Sequence, residues 1–130
     1  MSDPRVERVR RGLEDYNRGD LEAILPMFAP DVTVFTSPEL PNSGTFHGHD
    51  GFREWAGAWL EAWETFEVDL VDVTTLGDAI IATLRQVGTG RGSGLQVEME
   101  LAYLFRFEGN TAVGLELHPD RETALAAAGG

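Results

Sequence analysis

The spacing of apolar residues changes its period part-way along the chain. From Pro4 to Arg18 they recur three and four apart, at Val6, Val9, Leu13 and Tyr16, which predicts an amphipathic helix. Asp3 stands where it can cap that helix, Pro4 suits its first position, and Gly19 ends it. Asp20 then caps a second, short helix with Leu21, Ile24, Leu25 and Phe28, in which Pro26 predicts a kink or a tight last turn. Pro30 and Asp31 break the chain before a short strand over 32–37, and a loop rich in Pro, Ser and Gly spans 38–48. Asp50 caps a third helix that carries Phe52, Trp55, Ala56, Trp59 and Trp63.

Beyond residue 65 the period falls to two. Phe66, Val68 and Leu70 alternate with Glu67 and Asp69, then the apolar phase slips to Val71 and Val73, predicting a bulge in a bent strand over 66–76. Gly77-Asp78 turns the chain into a strand over 79–87. A glycine-rich stretch, 88–94, leads to a long strand over 95–107. There Leu95, Val97, Met99, Leu101, Tyr103, Phe105 and Phe107 occupy one face. A strand over 111–118 and an Asp120-capped helix over 121–128 complete the chain. Helices first, then consecutive strands joined by tight turns, predict an α+β fold in a single domain over 1–130. Its expected form is a cone-shaped, curved antiparallel sheet wrapped round three N-terminal helices, with a short C-terminal helix. Such a cone leaves a hollow between helices and sheet.

Composition narrows the possible partners. A net charge of −12 repels phosphate backbones, and no basic aromatic stripe interrupts it, so nucleic-acid binding is not expected. No apolar run approaches the length of a membrane span, and the charged start MSDPRVERVRRG has no apolar signal core; the expectation is no membrane and a cytoplasmic location. The absence of cysteine excludes disulfides, thiolate metal sites and cysteine nucleophiles.

Candidate chemistry is sparse. Gly114, Glu116 and His118 share one face of the last strand, where an acid and an imidazole two residues apart can pair beside space left by the glycine. Enclosure would raise the glutamate's pKa and a nearby Arg85 would lower it. The alternative is that Val113, Leu115 and Leu117 on the other face form core and leave Glu116 in water. Arg85, in a strand otherwise made of Ile80, Ile81, Ala82, Thr83 and Leu84, needs a partner, for which Glu116 is the natural candidate. That pair would serve either a ligand or the fold.

Trp55, Trp59 and Trp63 recur every four residues. They read as core, with Trp55 or Trp59 touching an aromatic-lined cavity. His47 and His49 flank Gly48 in a loop; the spacing is poor for ligation and no metal is expected, while His47 borders the expected cavity mouth. The glycines of 88–94 lie between two strands, which predicts a hairpin, not a phosphate loop.

Five strings in order, YNRGDLEAILPMFAPDV, HGHDGFREW, LRQVGTGRGSG, VEMELAYLFRFEG and LELHPDRETALAAAGG, resemble the SnoaL-like branch of the ketosteroid-isomerase-like (nuclear transport factor 2-like) superfamily. Matched to the isomerases, Gly12 and Thr36 stand where the family has a tyrosine and an aspartate base. Tyr103 stands at the acid donor, so steroid isomerisation is not implied. Matched to SnoaL-type cyclases, the closing-strand acid falls on Glu116, and Tyr103 replaces a histidine. The arginine set between two aspartates of limonene-epoxide-hydrolase-like sites has no counterpart beside Arg85. The resemblance implies a homodimer through the sheet, no cofactor, and a small hydrophobic ligand.

The expected function is a SnoaL-like binder of a polyketide- or terpenoid-like molecule, extending to cofactor-independent acid–base catalysis of cyclase, isomerase or hydrolase type. Glu116 would be its base and His118 and Tyr103 the base's partners. The expected lining is Arg85, Trp55, Trp59, Phe35, Thr36, His47 and Met99. The alternative is a non-catalytic ligand carrier or dimerisation module.

Overall fold

The computed structural model describes residues 3–40 and 43–129. Met1, Ser2 and Gly130, and Pro41 and Asn42 within the expected loop, lie outside the described residues. Helix α1 (Pro4–Asn17) buries the predicted stripe of Val9, Leu13 and Tyr16, and Asp3 caps it by accepting the Arg5 backbone N–H. Asn17 fastens its far end to the sheet: its side-chain amide donates to the Val68 carbonyl at 2.9 Å and accepts the Val68 N–H at 2.8 Å. Helix α2 (Leu21–Ile24) tightens into a 3₁₀ turn at Leu25–Met27, where Pro26 removes a helical donor. Strand β1 (Phe28–Thr36) follows directly, so Phe28 opens a strand instead of closing the helix.

Three further boundaries differ from the sequence pattern. The expected loop contains a short strand, β2 (Gly44–His47), held by antiparallel pairing with β1. Helix α3 (Gly48–Glu61) starts earlier than expected, with His47 at the cap position and Asp50 in the first turn. Trp63 leaves that helix and begins β3 (Trp63–Leu76). The predicted bulge is present as a register shift between Leu70 and Asp72. Strands β4 (Ala79–Gly90), β5 (Gln96–Glu108) and β6 (Thr111–His118) complete the sheet, and the glycine-rich stretch is the β4–β5 hairpin.

The sheet order is β2-β1-β6-β5-β4-β3. It is mixed, not wholly antiparallel, because β1 runs parallel to β6. That pairing joins strands far apart in sequence, with the whole helix–sheet unit serving as the crossover. One face of the sheet meets α1–α3 and buries the main core, including Val32, Val34, Ile80, Leu84, Leu101, Tyr103, Phe105 and Leu117. The opposite face carries α4 (Arg121–Gly129), capped by Asp120 through the Thr123 N–H at 2.7 Å. Beneath α4 lies a smaller apolar cluster of Ala79, Ile81, Ala102, Leu104 and Ala124.

Candidate functional site

The face of the sheet turned toward the helices builds an aromatic interior. Phe28 and Phe52 pack with tilted rings at 4.9 Å, Phe52 leads to Trp55 at 5.9 Å, and Trp55 meets Tyr103 edge-on at 6.4 Å. Phe105 and Phe107 continue the row along β5. The Trp55 indole N–H donates to the Thr36 hydroxyl at 2.8 Å, and that of Trp59 donates to the Gln86 side-chain oxygen at 3.1 Å. These bonds satisfy two large residues that would otherwise bury a bare donor.

At the centre is a cavity of about 30 Å³, lined by α1, α2, the 3₁₀ turn, α3 and the inner faces of β5 and β6. Its wall is apolar apart from two phenols. Tyr16 of α1 and Tyr103 of β5 both line it, and both are buried. Neither hydroxyl completes a hydrogen bond among the described residues, although the two lie near enough to influence each other. Burial pushes both phenols well above the ordinary tyrosine range; each remains a neutral donor at any physiological pH.

The residues expected from sequence to act together are divided between the two faces. Tyr103, Trp55, Trp59, Thr36 and Met99 belong to the inner face, and of these Trp55 and Tyr103 line the cavity. Glu116 and His118 do not join them. Leu115 and Leu117 point into the core, which turns Glu116 and His118 to the opposite face, beside Arg106 and under α4. Phe35 is on that side too, 6.2 Å from the His118 ring, and His47 pairs across from Thr33 on an exposed edge strand.

Arg85 is half exposed and lies near Asp69 and Glu98, not Glu116. The cation that does reach Glu116 is Arg106, at 2.8 Å; its other end donates to the Ala127 carbonyl of α4 at 3.2 Å. The aliphatic stem of Arg106 also fills the space over Gly114, 3.6–3.9 Å from where a Cβ would stand. His118 Nε2 lies 3.0 Å from the second Glu116 oxygen. Burial works against the Glu116 carboxylate, but the bonds from Arg106 and His118 outweigh it and hold the pKa below the usual glutamate value. A carboxylate so held is a weak base and a strong anchor.

Tyr16 is the cavity residue that the sequence pattern conceals, since its position in the α1 stripe reads as core. The one available signal is its hydroxyl, which a dry core must satisfy. Among the described residues no group of three or more His, Asp or Glu side chains could hold a metal ion. Nor is any helix among them long and apolar enough to cross a membrane.

A cone of sheet closed by N-terminal helices is the nuclear transport factor 2-like fold. Within it the chain belongs to the SnoaL-like domain family, whose model matches residues 9–114. No curated protein matches the chain. Among solved structures, it is similar over 96% of its length to 97% of a nuclear transport factor 2-like protein of unknown function from Burkholderia pseudomallei, at 23% identity and a TM-score of 0.82. It is similar to TerC co-crystallised with polyporic acid, at 17% identity, a TM-score of 0.80, and coverage of 96% of this chain and 97% of that one. A protein of ketosteroid-isomerase-like fold from Catenulispora acidiphila, in complex with trimethylamine, matches at 19% identity and a TM-score of 0.77, covering 95% of this chain and 92% of its own. At these identities the structural likeness concerns the fold.

Proposed function

We propose that the protein binds a small, largely apolar molecule in its interior, with one oxygen of that molecule accepting hydrogen bonds from Tyr16 and Tyr103. The observation that carries this reading is the pair of buried phenol hydroxyls that face an apolar cavity without completing a bond. Buried polar groups are nearly always satisfied, and one left bare costs about 1–3 kcal/mol. Two kept side by side form a ready acceptor site. Because burial keeps both protonated, they can polarise a carbonyl and stabilise negative charge on its oxygen.

No carboxylate or imidazole lines the cavity, so proton abstraction would fall to the ligand's own groups or to water. The catalytic set expected from sequence thereby contracts to Tyr103, joined by Tyr16, while Glu116 and His118 serve the docking of α4. The apolar aromatic wall suits the flat polyketide- or terpenoid-like class. Polyporic acid in TerC and trimethylamine in the Catenulispora protein support a ligand-holding role for this fold. At about 30 Å³ the cavity has room for roughly one water, against about 300 Å³ or more for usual ligand sites, so binding requires it to open.

Calorimetric titration with methyl 6-hydroxy-2-naphthoate tests the reading. Wild-type protein should bind it, and Tyr16→Phe and Tyr103→Phe should each weaken binding about fivefold, the worth of one neutral hydrogen bond. No binding by the wild type, or unchanged affinity in both variants, rejects it. The homodimer belongs to the same proposal. The sheet's outer face between β3 and β5 presents Glu67, Asp69, Glu98 and Glu100 around the single cation Arg85, all exposed, so two such net-negative faces would repel and associate more tightly as salt rises. Light scattering that gives a monomer at every salt concentration removes the dimer.

A further inference from the structure

We infer that the ligand enters between α1 and the 3₁₀ turn, past Met27, and carries an anionic group that stays at the mouth against Arg8 and Arg11. The inference rests on the interior binding site proposed above and names the chemical class that site takes: an apolar, ring-bearing carboxylate or similar anion.

A cleft of about 290 Å³ opens on the outside of α1, lined by Arg8, Arg11, Gly12, Asp15, Ala23, Ile24, Pro26 and Met27. Gly12, Ile24 and Met27 also line the interior cavity, so these three residues border both spaces. Gly12 is unusual in mid-helix, where glycine is less favourable than alanine. Its reason is local: a Cβ there would stand 3.0 Å from the Met27 sulfur. The glycine lets Met27 lie directly against α1, and an unbranched thioether is the side chain best able to swing aside. With Met27 displaced, cleft and cavity become one space at the lower end of small-ligand sites, about 300 Å³.

The chemistry of the mouth is set by its cations. The chain carries 22 acidic residues against ten arginines, and most arginines are engaged. Arg5, Arg10, Arg18, Arg53, Arg85, Arg106 and Arg121 all lie within salt-bridge distance of a carboxylate. Arg8 and Arg11 have no such partner among the described residues, yet they lie one turn apart at the rim of the cleft. The one acid in the cleft wall, Asp15, is taken up by Arg18. Two uncommitted guanidiniums at the entrance to an apolar cavity fit a ligand with an anion at one end and rings behind it.

The test compares 6-hydroxy-2-naphthoate with its neutral methyl ester, on wild-type protein and on the double variant Arg8→Gln/Arg11→Gln, by calorimetric titration. The acid should bind wild-type protein about tenfold more tightly than the ester, the scale of one charge-assisted contact. The double variant should lose that advantage by weakening the acid alone. Equal affinities in wild-type protein, or equal weakening of both probes in the variant, overturns the inference while leaving the interior site in place. An acid that responds to the arginines but not to Tyr103→Phe is held at the surface only, which also overturns it. If the ester does not bind at all, the interior site itself has failed. Met27→Leu, similar in volume but stiffer, should slow association of both probes in stopped flow; an unchanged rate removes Met27 as the gate.

Discussion

The two faces of this sheet differ in what lies beside their polar groups. On the outer face the central charged groups are engaged and the space is filled: Glu116 accepts from Arg106, lies 3.0 Å from His118, and Arg106 ties down the last turn of α4. His118 Nδ1 and the Thr83 hydroxyl are buried there without a partner among the described residues and without a cavity beside them. On the inner face two phenols are buried in an apolar wall and left without completed bonds. The acid that looks like the catalytic base is therefore a settled group, and the imidazole beside it is bonded at Nε2 alone. The tyrosines that look like core are the unsettled ones. Chemical type alone does not mark a site; an unmet hydrogen-bonding requirement beside an apolar cavity marks it better, and of the buried unpartnered side chains among the described residues only the two tyrosines line that cavity.

Substitutions can widen or collapse this contrast. The largest effect is expected at Trp55, fully buried against Phe52 and Tyr103 and bonded to Thr36. Trp55→Ala should cost about 3–5 kcal/mol in chemical denaturation. A cost under about 1 kcal/mol would mean that the inner face is already loose and its cavity incidental. Next comes Glu116→Gln, expected to lower stability by about 1–2 kcal/mol at pH 7 by weakening the α4 anchor. Because the folded protein holds Glu116 below its unfolded pKa, its contribution is present above about pH 4.5. It is lost as pH falls through the lower folded value, so the gap between wild type and variant should close in acid. A gap that widens in acid would show that Glu116 is not held as a carboxylate. The smallest effect belongs to Arg85→Ala. Its 3.6 and 3.9 Å ion pairs are solvent-exposed, and the change should stay within about 0.5 kcal/mol.

Much of this architecture is written locally in the chain. The α1 stripe, the Pro26 tight turn, the β3 bulge and the inward face of β5 from Met99 to Phe107 all follow from neighbours within a few residues, whereas Leu95 falls outside the strand and Val97 is exposed. What escapes is non-local. Strand β2 exists because β1 offers it an edge, and the parallel β1–β6 pairing depends on the whole domain having closed. Trp63 fits the spacing of α3, yet the pairing of β3 with β4 claims it for the sheet.

The site was less legible for the same reason. Alternation in 111–118 fixes that Glu116 and His118 share a face and that Leu115 and Leu117 share the other. Which face is inside depends on where the helices lie. The partner of Glu116 likewise turns on register. Arg106 pairs opposite Gly114 across β5 and β6, whereas Arg85 pairs opposite Glu100, one strand further away. Tyr16 and Tyr103 are far apart in sequence and meet only once α1 has folded onto the sheet.

The thermal stability of Tyr16→Phe/Tyr103→Phe is the most direct measurement. Phenols kept for a ligand burden the free protein, so removing both hydroxyls should leave the melting temperature unchanged or raise it by a few degrees, about 3–5 °C per kcal/mol relieved. A fall of more than about 4 °C would mean that the two hydroxyls hold the interior together, and the binding site would lose its foundation.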